Sequence, residues 1–405
     1  MEKIKWVMNE MPKGEGTEQE LMSVDEVAKA RDFHRSFPQY SETPLAELKG
    51  MSEYLGLTDF FVKDESYRFG LNAFKVLGGS YAMGRYIAEQ LGRDIADVDY
   101  SYLTSDKLKD EFGTTTFYTA TDGNHGRGVA WAANKLGQHS VVHMPKGSSQ
   151  IRLENIRKEN ADATIEEVNY DECVRIANAE AEADKNGVMV QDTAWEGYEK
   201  IPTWIMQGYG TMAMEAAEQL KAAGVDRPTH IFVQAGVGSL AGAVQGFFAN
   251  LYPDNCPTTD IVEASEAACL YKSAAGEDGK IRFVDGDMQT IMAGLACGEP
   301  NTISWEILRK NSTAFVSCPD WVSAKGMRML AAPVKGDPQV VSGESGAVAM
   351  GLIATLMKDE AYSDLKEAIK LDADSKVLMF STEGDTDPDN WRAIVWNGKY
   401  PSYED

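Results

Sequence analysis

The chain has 405 residues, roughly two or three domains of ordinary size. With 43% hydrophobic and 25% charged residues, its composition excludes disordered, collagen-like and coiled-coil architectures. Its 39 Lys and Arg stand against 63 Asp and Glu, and the resulting formal charge of −24 argues against nucleic acid and anionic membrane surfaces as partners.

The amino-terminal MEKIKWVMNEMPKGEG lacks an apolar run of secretory length, so no export is expected. In chain order, TPL (43–45) and a strand DFFVKDE (59–65) come first, followed by a helix predicted from about Ala73 to Leu91. Apolar runs then start at 115 (TTFYTA), 139 (HSVVHM), 163 (ATIEEV) and 188 (VMVQD), at spacings of 24, 24 and 25 residues. That interval suits one strand, one helix and two short loops, and so predicts a small parallel sheet of βα units. A second set, THIFVQAG (229), TDIVEAS (259), AFVSC (314) and KVLMFST (376), predicts a larger sheet with helices between the strands. The expected organisation is two α/β domains, each a mostly parallel sheet flanked by helices: a large one from residues 1–81 and 196–405, and a smaller one, 82–195, inserted in it. The longest nearly apolar stretch, Gly346 to Met357, is too short to cross a bilayer. Five cysteines (173, 256, 269, 297 and 318) include no CxxC pair, which fits a reducing cytoplasm, with a Cys269–Cys297 bond left open. Five histidines show no HxH or HExxH spacing, so no metal is predicted.

Four segments carry candidate chemistry. Lys75, in NAFK, opens a helix among apolar neighbours; it is either a solvated helix-start lysine or a desolvated amine suited to a Schiff base. TATDGNHGRG (119–128) ends a strand and begins a helix, which places Asp122, Asn124 and His125 where open α/β sheets bind ligands, although Asp122 or Asn124 is equally suited to capping that helix. In AGVGSLAGA (235–243) a strand runs through Gly236, Val237, Gly238, Ser239 and Leu240 into a helix, converging backbone N–H groups on one anion site. The same letters satisfy G-x-G-x-x-G/A, and Glu263 lies about 25 residues on, so a nicotinamide dehydrogenase is a rival. FSTEGDTDP (380–388) offers Ser381 or Thr382 to a buried heteroaromatic nitrogen, or only a capped turn. Asp192, in VQDTAWEGY, is a further candidate.

Taken in this order, NAFK, TDGNHG, AGVGSL and FSTEGD resemble the tryptophan-synthase-β-like enzymes that use pyridoxal 5′-phosphate (PLP). TATDGNHGRG, QDTAWEGYEKIPTWIMQGYG and STEGDTDP are similar to the diaminopropionate ammonia-lyases among them, with the likeness running over essentially the whole chain. The resemblance implies a two-domain fold with the cofactor in the cleft, Lys75 as the cofactor-linked lysine and Phe74 packed near the ring. It also implies Asn124 at the ring hydroxyl, the 236–240 amides at the phosphate, Thr382 or Ser381 at the ring nitrogen, an amino-acid substrate and a homodimer. Where serine and threonine dehydratases carry serine ahead of the G-N-H triplet, this chain has Asp122. A carboxylate there would attract a second ammonium on the substrate. Lys75 would then take the α-proton of L-2,3-diaminopropionate and Asp122 that of the D isomer, giving pyruvate and two ammonia, with His125 and Asp192 as further substrate contacts. A serine or threonine dehydratase is the nearest alternative.

Overall fold

The computed structural model describes residues 2–14 and 16–403. Its strands are β1 (Lys5–Met8), β2 (Leu45–Glu47), β3 (Asp59–Asp64), β4 (Thr116–Ala120), β5 (His139–Met144), β6 (Asp162–Ile165), β7 (Gly187–Met189), β8 (His230–Gln234), β9 (Thr258–Ala264), β10 (Ala314–Cys318) and β11 (Lys376–Ser381). They form a seven-stranded sheet in the order β1-β10-β9-β8-β11-β3-β2 and a four-stranded sheet in the order β6-β5-β4-β7. In the large sheet the five central strands run parallel and only the edges, β1 and β2, are antiparallel. The small sheet is parallel throughout and is inserted in sequence between β3 and β8.

Alternation along the large sheet explains why its strands read as unbroken apolar runs. On β8, Ile231 and Val233 join one core while Phe232 joins the other, and on β11 Leu378 and Phe380 oppose Val377 and Met379. Both faces are therefore buried beneath helices, as parallel sheets require. Helices Val76–Gln90, Lys200–Ala222 and Ser239–Leu251 contribute to one layer, and Asp320–Ala331 and Glu344–Lys358 to the other. The apolar stretch 346–357 lies inside the last of these, and no helix among the described residues is long and apolar enough to cross a membrane.

The helix predicted from Ala73 begins at Val76, and the reason bears on function. Ala73 bridges Glu383, and the Phe74 amide donates to the Thr382 carbonyl (3.1 Å), so the segment after β3 is tied to the end of β11 before it can turn helical. Lys75 thus emerges beside Thr382. β7 stops at Met189, so Gln191 and Asp192 lie beyond the strand end.

Candidate active site

The carboxyl ends of β3, β4, β8 and β11 converge on one cavity, the place where open α/β sheets present ligands. Phe74, Lys75, Asp122, Asn124, His125, Asp192, Gly236 to Leu240 and Thr382 all line it, so segments more than 300 residues apart in sequence meet there. Gln234, Tyr170, Cys297, Ser345 and Glu383 also line it.

The Lys75 ammonium is ion-paired with Asp192. Burial alone would lower the lysine pKa, but the Asp192 charge outweighs it and the amine is held above its ordinary value. Asp192 answers in kind: burial would raise its carboxyl, yet the Lys75 charge outweighs that and holds it well below the carboxylate range. The Tyr209 hydroxyl donates to the same carboxylate oxygen (3.2 Å). His125 donates from Nε2 to the Val190 carbonyl (2.9 Å), and burial keeps the ring neutral, so Nδ1 presents a lone pair 3.9 Å from Asp192. That nitrogen is buried and has no hydrogen-bond partner among the described residues.

On the facing wall, Gly238 caps the helix Ser239–Leu251 at φ 103°, a conformation that favours glycine. The amides of Val237, Gly238, Ser239 and Leu240 make no backbone hydrogen bond among the described residues, leaving a row of donors at a helix amino terminus. The Ser239 hydroxyl is engaged elsewhere: it donates to the Asp192 carbonyl and accepts from Asn301 Nδ2 (2.8 Å).

At the end of β11, Thr382 and Ser381 point to opposite sides, as successive strand residues must. Ser381 bonds Ser342 (2.8 Å) away from the cavity, which removes it as the alternative to Thr382. Thr382 Oγ1 accepts from Gln234 Nε2 (2.8 Å), so its own hydrogen is free to be donated into the cavity. Asn124 Nδ2 donates to Glu383 (3.1 Å), whose carboxyl also accepts from the Ser345 and Gly346 amides (3.0 and 3.1 Å). Burial, reinforced by the Glu344 charge, pushes Glu383 up to about 7.

Glu263 does not face this site. Its carboxylate accepts from the Leu270 and Tyr271 amides (2.8 and 2.6 Å), holding the start of the helix Cys269–Ala274, and burial pushes it up to about 8. The dinucleotide reading fails here, because the ribose-binding acid it needs is spent inside the protein. All five cysteines are free, including Cys269 and Cys297.

Comparison with known proteins agrees with this geometry. Residues 37–382 match the family described as "Pyridoxal-phosphate dependent enzyme". A diaminopropionate ammonia-lyase of Salmonella typhimurium is 54% identical over 368 residues, 91% of either chain. Two crystal structures of the Escherichia coli diaminopropionate ammonia-lyase superpose on 98% of both chains. One, in complex with D-serine, has a TM-score of 0.91 at 44% identity, and the other, with an aminoacrylate-PLP azomethine reaction intermediate, 0.89 at 45%. The chain belongs to the PLP-dependent family, among its diaminopropionate ammonia-lyases.

The residues present fit the cofactor of that family. The orphaned amides at 237–240 suit a phosphate. A threonine hydroxyl whose oxygen is already hydrogen-bonded suits an unprotonated ring nitrogen, and Lys75 lines the same cavity as the available amine. Glu383, Gln234, Tyr170, Cys297 and Ser345 are cavity residues that no sequence pattern marks as part of the site. Glu383 sat inside a segment singled out for its hydroxyls; the others carried no local signal.

Proposed function

We propose that this chain is a PLP-dependent diaminopropionate ammonia-lyase that converts both D- and L-2,3-diaminopropionate to pyruvate and two ammonia. The observation that carries the reading is the pair of proton acceptors, Lys75 and Asp122, on different elements lining one cavity. When bound, the cofactor supplies an electron sink for the pair released from Cα. Lys75 would anchor it, Asn124 would meet its ring hydroxyl, Gly236, Val237, Gly238, Ser239 and Leu240 would hold its phosphate, Thr382 would face its ring nitrogen and Phe74 would pack near the ring. Because Thr382 donates to that nitrogen and leaves it unprotonated, the sink is weakened and β-elimination is favoured over transamination.

Lys75 removes the α-proton of the L isomer and Asp122 that of the D isomer. The β-nitrogen, bound as the ammonium, leaves as ammonia with the electron pair of its bond to Cβ, and the enamine left behind takes up water to give pyruvate and the second ammonia. The neutral His125 and the anionic Asp192 are acceptors for a substrate ammonium. The working unit is a cytoplasmic homodimer, a reading supported by five free cysteines for the compartment and by the family resemblance for the assembly. The division into 1–81 with 196–405 and an inserted 82–195 is supported by the sequence insertion of the small sheet.

The test is pyruvate release from D- and L-diaminopropionate against D- and L-serine. Faster turnover of diaminopropionate is expected; equal or better turnover of serine would move the chain to the dehydratases.

A further inference from the structure

Arg152 has no part in the roles above, yet it is a buried cation set against Asp122 and Glu344 at the edge of the site. It lies in the helix Gln150–Arg157, and its side chain is 10% exposed. Its Nη1 lies 3.5 Å from Asp122 Oδ2, and its Nη2 3.9 Å from Glu344 and 3.5 Å from the Thr386 hydroxyl. Asp122 Oδ2 and Arg152 Nε are both buried without a hydrogen-bond partner among the described residues.

The loop that carries Asp122 is fixed by two different means. Its backbone is pinned by Thr121, whose hydroxyl oxygen accepts from the Gly123 and Gly126 amides (both 2.9 Å). The Asp122 side chain has no such hydrogen bond among the described residues, and its ion pair is with Arg152. Gly123, at φ 150°, leaves room for this: a Cβ placed there would lie 2.8 Å from Arg152 Cδ, so the arginine stem packs directly against the loop that carries Asp122. Lys75 is held separately, by Asp192. The two proton acceptors therefore have independent supports.

We infer that Arg152 is a positioning residue for Asp122 and so governs turnover of the D isomer, an inference that rests on the two-base reading above. A guanidinium suits the task, since it stays charged and offers several donors in a fixed fork. A base displaced by about 1 Å can cost on the order of a hundredfold in rate. Removing Arg152 should thus cost D turnover heavily and leave the Lys75 route to the L isomer much less affected.

The experiment compares kcat and KM of the holoenzyme for D- and L-diaminopropionate in Arg152→Gln, Arg152→Lys and Asp122→Asn, with cofactor absorbance and melting temperature as checks on folding. Arg152→Gln is expected to lower the D/L ratio of kcat/KM by roughly tenfold to a hundredfold, mainly through kcat. Arg152→Lys, which keeps the charge and loses the fork, should recover part of that ratio and covers the case in which the glutamine variant does not fold. A rise in KM alike for both isomers would make Arg152 a substrate-carboxylate anchor and overturn the inference. So would a D-selective loss in Asp122→Asn with an unchanged ratio in both Arg152 variants. Equal losses on both isomers in Asp122→Asn would overturn the two-base reading itself, and this inference with it.

Discussion

Individual side chains in this fold are held by opposite charges or left conspicuously without them. Lys75 and Asp192 form a pair inside the cavity, so Lys75→Ala removes the anchoring amine and also strands a buried carboxylate. Activity should fall by at least about a thousandfold, and the cofactor-free variant should lose a few kcal/mol of stability. Adding Asp192→Asn should restore much of the melting temperature and none of the turnover. Asp260 is the contrary case: fully buried on β9, with neither oxygen hydrogen-bonded among the described residues, its pKa is pushed well up by burial alone. Asp260→Val should stabilise the protein by roughly 1–3 kcal/mol, since a desolvated polar group without a partner is exchanged for an apolar one of similar size. Because a raised carboxyl costs more stability as pH climbs, the gap in melting temperature between variant and parent should widen from pH 4 to pH 8. Lys75, Asp122 and Thr382 were legible because each sat in a short pattern with a chemical meaning. Gln234 and Glu383 were not, because their roles come from partners more than a hundred residues away, Thr382 in the one case and Asn124 in the other.

Elements show the same division between local and remote causes. The strands β3 to β11 are all legible in the sequence as short runs between turn residues, continuous in the large sheet where both faces are buried and weaker in the small one, where β6 leaves Asp162 and Thr164 exposed. The antiparallel edge β1, KWVM, was missed: at four residues, mostly half-buried, it gains its order from pairing with β10. The start of the helix Val76–Gln90 was placed three residues early, because the tie from Phe74 to Thr382 is a tertiary contact that overrides helical periodicity. Asn301 joins two elements beside the amino terminus of the helix Ser239–Leu251. Its side-chain oxygen accepts from the Ile303 and Ser304 amides (2.9 and 3.0 Å), capping the helix Thr302–Asn311, while its amide nitrogen donates to Ser239. Asn301→Ala should cost about 1–2 kcal/mol and loosen cofactor retention. Asn301→Asp keeps the cap and sets a negative charge near the phosphate-binding turn, so it should keep most of the stability and still release cofactor. Melting curves with and without PLP, alongside absorbance after dialysis, would separate the two; equal cofactor retention in Asn301→Asp and the parent would show that the link to Ser239 does not matter.

At the scale of the whole molecule, the excess of 24 negative charges and the buried titrating groups combine into one pH profile. Burial lowers His34 to about 3 and holds His125 and His230 below their usual value. Unfolding lets these rings take up protons below about pH 6.5, so they contribute stability that is lost as pH falls from there towards 3. Glu263 and Glu383, raised to about 8 and 7, act with the opposite sign, since the folded state keeps protons that the unfolded chain has released by about pH 4.5. Their stability is present below that pH and lost as pH rises through 7 and 8. Between about 4.5 and 6.5 the two sets oppose each other; above 6.5 the carboxyls act alone, and the growing self-repulsion of an acidic chain adds to them. The cofactor-free protein should therefore melt progressively lower from about pH 6.5 towards pH 8. Salt separates the contributions, because it screens the long-range repulsion and reaches the buried carboxyls far less. High salt should recover only part of the loss at pH 8, whereas Glu263→Gln should flatten the slope between pH 7 and 8 at any ionic strength. A melting temperature that rises steadily from pH 6 to pH 8 would mean that neither carboxyl keeps its proton in the folded state.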